Sequence, residues 1–386
     1  MELTQVATLL NNTIVPNLMG ESLTISEDLK NIVDLGTAIA DLAPEDVKDY
    51  AGAFVVGVAR TVMDTRKYTA ETYGLMNDAR EYGGIIQRVK AQLLSSTDSP
   101  IWTLENGTDY FDGTYHAIET DVKIYNKDTA WMIANSIPTE MFKQSFTSED
   151  GVMKLIALIE NTVDNTLTLE LNGLAKTTLH QMIASACLDG RKIQLVSTYN
   201  DIMGLSGDDA LTTATALFNA PFLRWAAMTI VRLRDMVQDF NKKYNDGTVP
   251  TFTPSEDIRV TILSEFMRAI EFNMEADTFH NDLVQYGQVN TINYWQNSSA
   301  EMLPSLGVTA QVKAHWGENE GTPIDPVSIK NVVALITDRM AGGLTARLNK
   351  ITANYIAPGD FTNYYHHVAN SRFVDTRNTG IVLTLD

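Results

Sequence analysis

Between Val152 and Leu174, apolar side chains fall at Val152, Leu155, Ile156, Ile159, Val163, Leu167, Leu171 and Leu174. Steps of three and four keep such residues on one face of a helix. Thr147-Ser148-Glu149-Asp150 stands ahead of them, a start signal with acids over the first turn, where the helix dipole favours negative charge. Continued through His180 to Cys187, the pattern predicts one helix of nearly forty residues, about 55 Å long at a rise of 1.5 Å per residue. Gly173 weakens that helix by about 1 kcal/mol without breaking it. Asp189-Gly190 closes it as a turn.

The pattern differs on either side. Residues 1–50 read as short helices broken by Pro16, Gly20 and Pro44, an arm that packs on neighbours more than a domain with its own core. Ile85–Leu94 and Ala117–Tyr125 carry β-branched residues in partial alternation around a turn-rich stretch holding Pro100 and ENGTDYFDG, which predicts a long, exposed β-hairpin or loop. Long loops without a core inside compact domains tend to be functional. Further on, KIQLV at Lys192–Val196 predicts a buried strand. Ala220–Tyr244 predicts a helix with Trp225, Met228, Val231, Met236 and Val237 on its apolar stripe, ended by Asn245-Asp246-Gly247. Strands are predicted at Arg259–Leu263 and Gln288–Trp295, with a helix at Ser264–Asn273 between them. This α/β stretch closes near the loop Trp316–Pro326, and the last sixty residues add the apolar run Asn331–Met340 and closing strands. The fold class is α+β.

Composition narrows the class of function. The chain has 386 residues, 44% of them hydrophobic, which is ample for a core. Cys187 is the only cysteine, so neither an internal disulfide nor a cysteine-rich metal site can form. Lys and Arg total 29 against 48 acids, a net charge of −19. Such a surface gains nothing from counterion release on a nucleic acid. MELTQVATLL lacks the basic n-region of a secretory signal. The longest near-apolar stretch, Ala51–Ala59, is about half the ~18 residues a membrane span needs.

Candidate chemistry is sparse. No phosphate-cradling G-x-x-x-x-G-K-[ST] and no H-E-x-x-H occur, and Gly204-Leu205-Ser206-Gly207 lacks the spacing of a nucleophile elbow. Asn245-Asp246-Gly247 resembles part of a calcium loop, but Lys242 and Tyr244 stand where oxygen ligands are needed. Of six histidines only His366 and His367 adjoin. On a strand they would point to opposite faces, one to a packed layer and one to solvent or a neighbour, and one ion could not easily take both. Cys187 reads as an inert buried thiol, the acidic pairs Glu149-Asp150 and Asp208-Asp209 as helix starts, Lys123 and Lys127 as a solvated face, and Trp225, Met228 and Arg232 as core with one rim charge. No catalytic, cofactor-binding or metal-ligating residue is assigned, and no cofactor is expected. The remote alternative is a metal-dependent hydrolase using His366 or His367 with an acid such as Asp375.

The order of elements carries more. A broken arm, a protruding β-loop, one very long helix, an α/β insert and closing strands together resemble the major capsid protein fold of tailed bacteriophages, shared with encapsulins and the floor of herpesvirus capsids. Asp121–Thr166, with its phenylalanine-x-x-serine-phenylalanine turn at Phe142–Phe146, is similar to the loop exit and spine helix in capsid proteins of small, short-tailed phages. The ending NYYHHVANSRFVDTRNTGIVLT, with tyrosines before Ser371-Arg372-Phe373, is similar to their terminal strands. The resemblance implies an N-terminal arm (1–50), a peripheral-domain lead-in (51–80), an extended loop (81–135), a peripheral domain with the spine helix (136–197), an axial domain (198–326) and a return to the peripheral domain with closing strands (327–386). It implies a major capsid protein of the virion, not an enzyme, assembled in the host cytoplasm. Its partners would be copies of itself in pentamers and hexamers, portal and scaffolding proteins, and possible decoration proteins, around double-stranded DNA held without sequence-specific contacts and without a membrane. An encapsulin-type nanocompartment is the same-fold alternative. The acidic balance would suit an inner wall along which DNA slides, and would equally serve solubility.

Overall fold

The computed structural model describes residues 86–94, 96, 98–125, 128–146, 149–247, 249–275, 288–297, 304–305, 308–310 and 327–386, together with 7, 8, 11, 25, 26, 74 and 75. The expected arm at 1–50, almost all of the lead-in at 51–80 and the loop Trp316–Pro326 lie outside the described residues.

The long helix forms as its spacing predicts. It runs over Glu149–Leu188 (α2), 40 residues or about 60 Å. Val152, Leu155, Val163, Leu167, Leu171 and Leu174 are buried along one stripe. Gly173 sits in an unbroken helix, where an added Cβ would meet nothing. From Gln181 to Ala186 every side chain is buried, because this end is sunk between other layers instead of lying on a surface. Gly190, at φ +72°, takes the left-handed turn that ends the run.

Two sheets flank α2. The outer one has three antiparallel strands in the order β8 (Gly342–Ile356), β9 (Phe361–Val374), β3 (Asp128–Pro138). Burial alternates along the first half of β9, as expected of a strand with one face packed and one face open. Gly342 opens β8 where a Cβ would lie 2.8 Å from Met182 Sδ, so a side chain there would require Met182 of α2 to shift. A short helix, α1 (Thr139–Ser145), joins β3 to α2. Phe142 and Phe146, expected as a turn, are a helical residue and its C-cap, fully buried with rings 4.9 Å apart.

The inner sheet has five strands in the order β4 (Lys192–Gln194), β10 (Gly380–Thr384), β7 (Val332–Asp338), β5 (Ile258–Leu263), β6 (Gln288–Ile292). The outer pairs are parallel and the central pairings antiparallel. β5, β7 and β10 are buried at every position, the continuous apolar runs of a sheet covered on both faces. Around it lie the end of α2, α3 (Leu195–Met203), α4 (Ala220–Met236) and α5 (Ser264–Glu275), all in one core cluster. Trp295 is fully buried there, donating from Nε1 to Val332 O at 2.8 Å.

The structure corrects three expectations. Leu195 and Val196 open α3 and do not continue the strand. α4 ends at Met236, eight residues before Tyr244. Its core face is Phe222, Leu223, Ala226, Ala227, Ile230 and Leu233, while Met228 and Met236 are exposed.

Candidate assembly surfaces

Among the described residues, many of the exposed apolar side chains stand on one hairpin. β1 (Ile86–Ala91) pairs antiparallel with β2 (Thr120–Tyr125), from Ile86↔Tyr125 to Ala91↔Thr120. Alternation gives the ribbon two faces. Val89, Val122 and Ile124 share one face and are all exposed. Lys90 and Tyr125 lie on the other, which meets the body of the protein.

That root is a buried polar knot. Lys90 Nζ donates to Arg377 O at 2.9 Å and to Asn378 Oδ1 at 2.6 Å. Desolvation holds the Lys90 ammonium below the usual lysine value, against the pull of Asp375. Asp375 and Arg377 form an ion pair at 3.1 Å with both side chains fully buried. Tyr125 is buried against Phe373, with ring centroids 5.6 Å apart, and burial pushes its phenol well up. Asn378 Nδ2 donates on to Met340 O, tying the knot to the turn after β7. No sequence spacing signals this arrangement, because its members lie almost 300 residues apart.

Beyond the root, every described residue from 92 to 119 is exposed. Trp102 is 92% exposed, Tyr115 89% and Phe111 84%. Local bonds shape the tip instead. Asp109 Oδ1 accepts from Phe111 N–H, Asp112 Oδ1 from Thr114 N–H, and Tyr110 Oη from Glu105 N–H, all at 2.8–2.9 Å. The Thr114 contacts, with His116, hold the Asp112 carboxyl below its ordinary value. Three large aromatic side chains thus stand in water on one loop, and exposed apolar patches mark interaction surfaces.

The paired histidines behave as strand residues. His366 is fully buried on the packed face of β9, and neither ring nitrogen has a hydrogen-bond partner among the described residues. Burial holds its imidazole below the ordinary value. His367 lies on the outer face, its Nε2 2.9 Å from Thr352 Oγ1, beside a shallow hollow with Met132 and Lys350. Asp375 belongs to the hairpin root, so the structure does not bring it to either histidine for hydrolytic chemistry. Among the described residues no three His, Cys, Asp or Glu side chains cluster as metal ligands. Cys187 is half-buried, and burial pushes its thiol up to about 11. Asp208 and Asp209 lie on one exposed 3-10 turn. The side chains of Lys123 and Lys127 lie outside the described residues. Among those described, no helix is long and apolar enough to cross a membrane.

A second hollow opens beside α4. It measures 630 Å³ and is lined by Trp225, Met228 and Met236 of α4, with Lys192 from β4 and Lys243 and Tyr244 from the loop after α4. All three were expected in the core; Trp225 does pack against it, on Tyr199 and Phe222, while Met228 and Met236 are exposed on the wall of the cleft.

Comparison with known proteins bears on these surfaces. A family model described as "Phi29-like phage major capsid protein" matches residues 12–378. No curated protein matches the chain. Among solved structures, the chain is similar to one from the capsid structure of Staphylococcus phage Andhra, with a TM-score of 0.53 and 10% identity over 81% of this chain and 83% of that one. It is also similar to one from the capsid structure of the cyanophage P-SCSP1u, with a TM-score of 0.45 and 14% identity over 80% and 86%. At 10% identity the Andhra likeness shows the fold, and that fold is a capsid fold.

Proposed function

Since this chain belongs to the Phi29-like phage major capsid protein family, we propose that its copies gather as pentamers and hexamers and tile an icosahedral shell around double-stranded DNA. The shell role in the virion comes with the family. The ring sizes, the lattice and the contents are what we add. One observation carries the mechanism: the hairpin tip presents Trp102, Phe111 and Tyr115 to water on a shaped loop whose described residues are all exposed. A large aromatic side chain buries about 150–250 Å², worth on the order of 4–6 kcal/mol at ~25 cal/mol per Å² before the cost of association. Three of them on a neighbour supply a contact strong enough to hold copies together.

In this scheme the hairpin Ile86–Tyr125 is the extended loop. α2 with the outer sheet is the peripheral domain, and the inner sheet with α3, α4 and α5 is the axial domain. Strand pairing supports that division. The net charge of −19 supports a wall that repels packed duplex and lets it slide during filling. Portal and scaffolding proteins are the further partners we propose. The family match favours a phage shell over an encapsulin-type nanocompartment.

The test is to express the full chain alone and with a co-expressed scaffold, then image by negative-stain electron microscopy alongside light scattering. Closed shells or capsomer rings are expected. A monodisperse monomer under both conditions would overturn self-assembly through this chain's own surfaces.

A further inference from the structure

We propose that the hairpin root closes covalently, by an amide bond between Lys90 Nζ and Asn378 Cγ within one chain. The bond is a modification of the subunit itself and does not depend on how copies assemble.

The two side chains are already placed as reactants. Lys90 Nζ lies 2.6 Å from Asn378 Oδ1. With a carbonyl bond of about 1.2 Å, Nζ stands no more than about 3.8 Å from Cγ, close to the roughly 3–3.5 Å of a near-attack geometry. The amide is pinned in the orientation that this requires. Its Nδ2 donates to Met340 O at 3.1 Å and to Asp375 Oδ2 at 3.3 Å, which leaves Oδ1 facing the lysine. A flipped amide would set its own N–H donors against the ammonium and its oxygen against two acceptors. Lys90 is held in turn by Arg377 O at 2.9 Å. Fixing both groups in contact removes most of the entropic cost of bringing them together.

An ammonium has no lone pair, so Lys90 must first shed a proton to solvent. Burial is the largest influence and favours that loss; Asp375 opposes it, Arg377 favours it, and Asp338 and Asp246 oppose it. The neutral amine then gives its lone pair to Cγ, and the π electrons of the carbonyl move onto Oδ1. Asp375 Oδ2, already bonded to Nδ2, takes a proton from the attacking nitrogen and delivers it to the leaving one. The Cγ–Nδ2 bond breaks with its electron pair on nitrogen, ammonia departs, and the carbonyl re-forms. One N–C bond is made and one is broken, nothing is oxidised or reduced, and no co-reactant is consumed. Asp375 and Arg377 are fully buried, with Asn378 buried beside them, which holds off the water that would hydrolyse the amide instead. A freshly folded chain keeps the root by hydrogen bonds alone, and the covalent tie accumulates as the neutral amine is sampled.

The experiment follows the intact mass of the full folded chain during incubation at pH 6 and at pH 9, then digests it with trypsin. The expected product is lighter by one ammonia. It yields a branched peptide joining residues 89–123 to residues 378–386, because trypsin does not cut at an acylated lysine. Closure should run at least about tenfold faster at pH 9, where more of the amine is neutral, and should stop in urea, where the root is apart. Lys90→Met and Asn378→Ala should each keep their full mass. Asp375→Asn should close about a hundredfold more slowly; closure at the parental rate would overturn the proton transfer assigned to Asp375. The mass of the parent chain decides the bond itself, whether or not a variant folds. Unchanged mass after prolonged incubation at pH 9 would overturn it. So would loss of ammonia with the two peptides still separate, which is ring closure of Asn378 onto its own backbone, and so would the gain in mass that marks hydrolysis of its amide.

Discussion

Replacing Lys90 with methionine should loosen the hairpin while leaving the body of the protein intact. Methionine keeps the unbranched stem and deletes the ammonium that bonds Arg377 O and Asn378 Oδ1. A hydrogen bond from a charged donor contributes about 1.5–3 kcal/mol, so the two together are worth roughly 3–6 kcal/mol before offsets. Desolvation of the half-buried ammonium, the same effect that pulls its pKa down, works against them. We take the net as about 2 kcal/mol, a factor of about 30 in the local opening equilibrium. Tyr125 on Phe373 would still hold the other strand, so the expected change is local opening and not detachment. Hydrogen exchange by mass spectrometry on the unassembled chain reads this directly. Peptides covering Ile86–Ala91 and Thr120–Tyr125 should exchange about 30-fold faster, with the buried end of α2 unchanged. Lys350→Met, on an exposed lysine, is the control. If the hairpin strands exchange at the same rate in Lys90→Met and the parent, the knot does not anchor the hairpin and its orientation must be set elsewhere.

Further outcomes follow from the same geometry. His366→Leu replaces a fully buried ring lacking hydrogen-bond partners among the described residues, and should raise stability at neutral pH by about 1 kcal/mol; a lower melting temperature at pH 7.5 would mean that the imidazole has a partner. Burial, helped by His367, holds the His366 pKa below the model-peptide value of about 6.5, so on acidification the unfolded chain takes up a proton that the folded chain refuses. Stability is then greatest above about pH 6.5 and falls as the pH drops toward the folded-state value, and the leucine variant should lose less between pH 7 and 5 in thermal melts; parallel curves would remove His366 as the source. Leu171→Asp puts an unpaired charge on the buried stripe of α2, a cost of several kcal/mol, and should leave only insoluble protein; soluble protein with parental circular dichroism would show that the stripe faces elsewhere. Limited proteolysis should cut Ser95–Gly113 in free subunits and spare it in assembled particles, and equal cutting in both would argue against an intersubunit role for the tip.

Where the sequence was legible, the signal was local and repeated. The helix Glu149–Leu188 announces itself because spacings of three and four recur along its length and a start signal and a stop signal bracket it. The hairpin was legible from β-branched alternation around turn residues, and the split of His366 and His367 from strand period alone. The face of α4 was misjudged for a physical reason. Its core side is built partly of Ala226 and Ala227, which add little to a hydrophobic pattern yet are buried. Trp225, Met228 and Met236 are larger and drew the stripe toward themselves, although they line the cleft. The apolar run Lys192–Val196 changes from strand to helix at Leu195, a switch that periodicity cannot detect over five residues. The hairpin root and the cleft were illegible altogether, since each joins residues far apart in the chain with no shared spacing.

The strand order of the inner sheet sets a schedule for biosynthesis. β10 is the last of its strands in sequence, yet it lies between β4 and β7, so β4 reaches the other strands only through it. Until residues 380–384 have left the ribosome, β4 and the central pair β7 and β5 have no shared neighbour, and the core around them stays open. Contacts spanning so much chain form late and slowly. The hairpin root closes on the same timetable, because Lys90 waits for Arg377 and Asn378. A nascent chain thus holds its hairpin unanchored and its core unfinished until residues 377–384 have emerged. Premature joining of half-made subunits is thereby discouraged by topology alone.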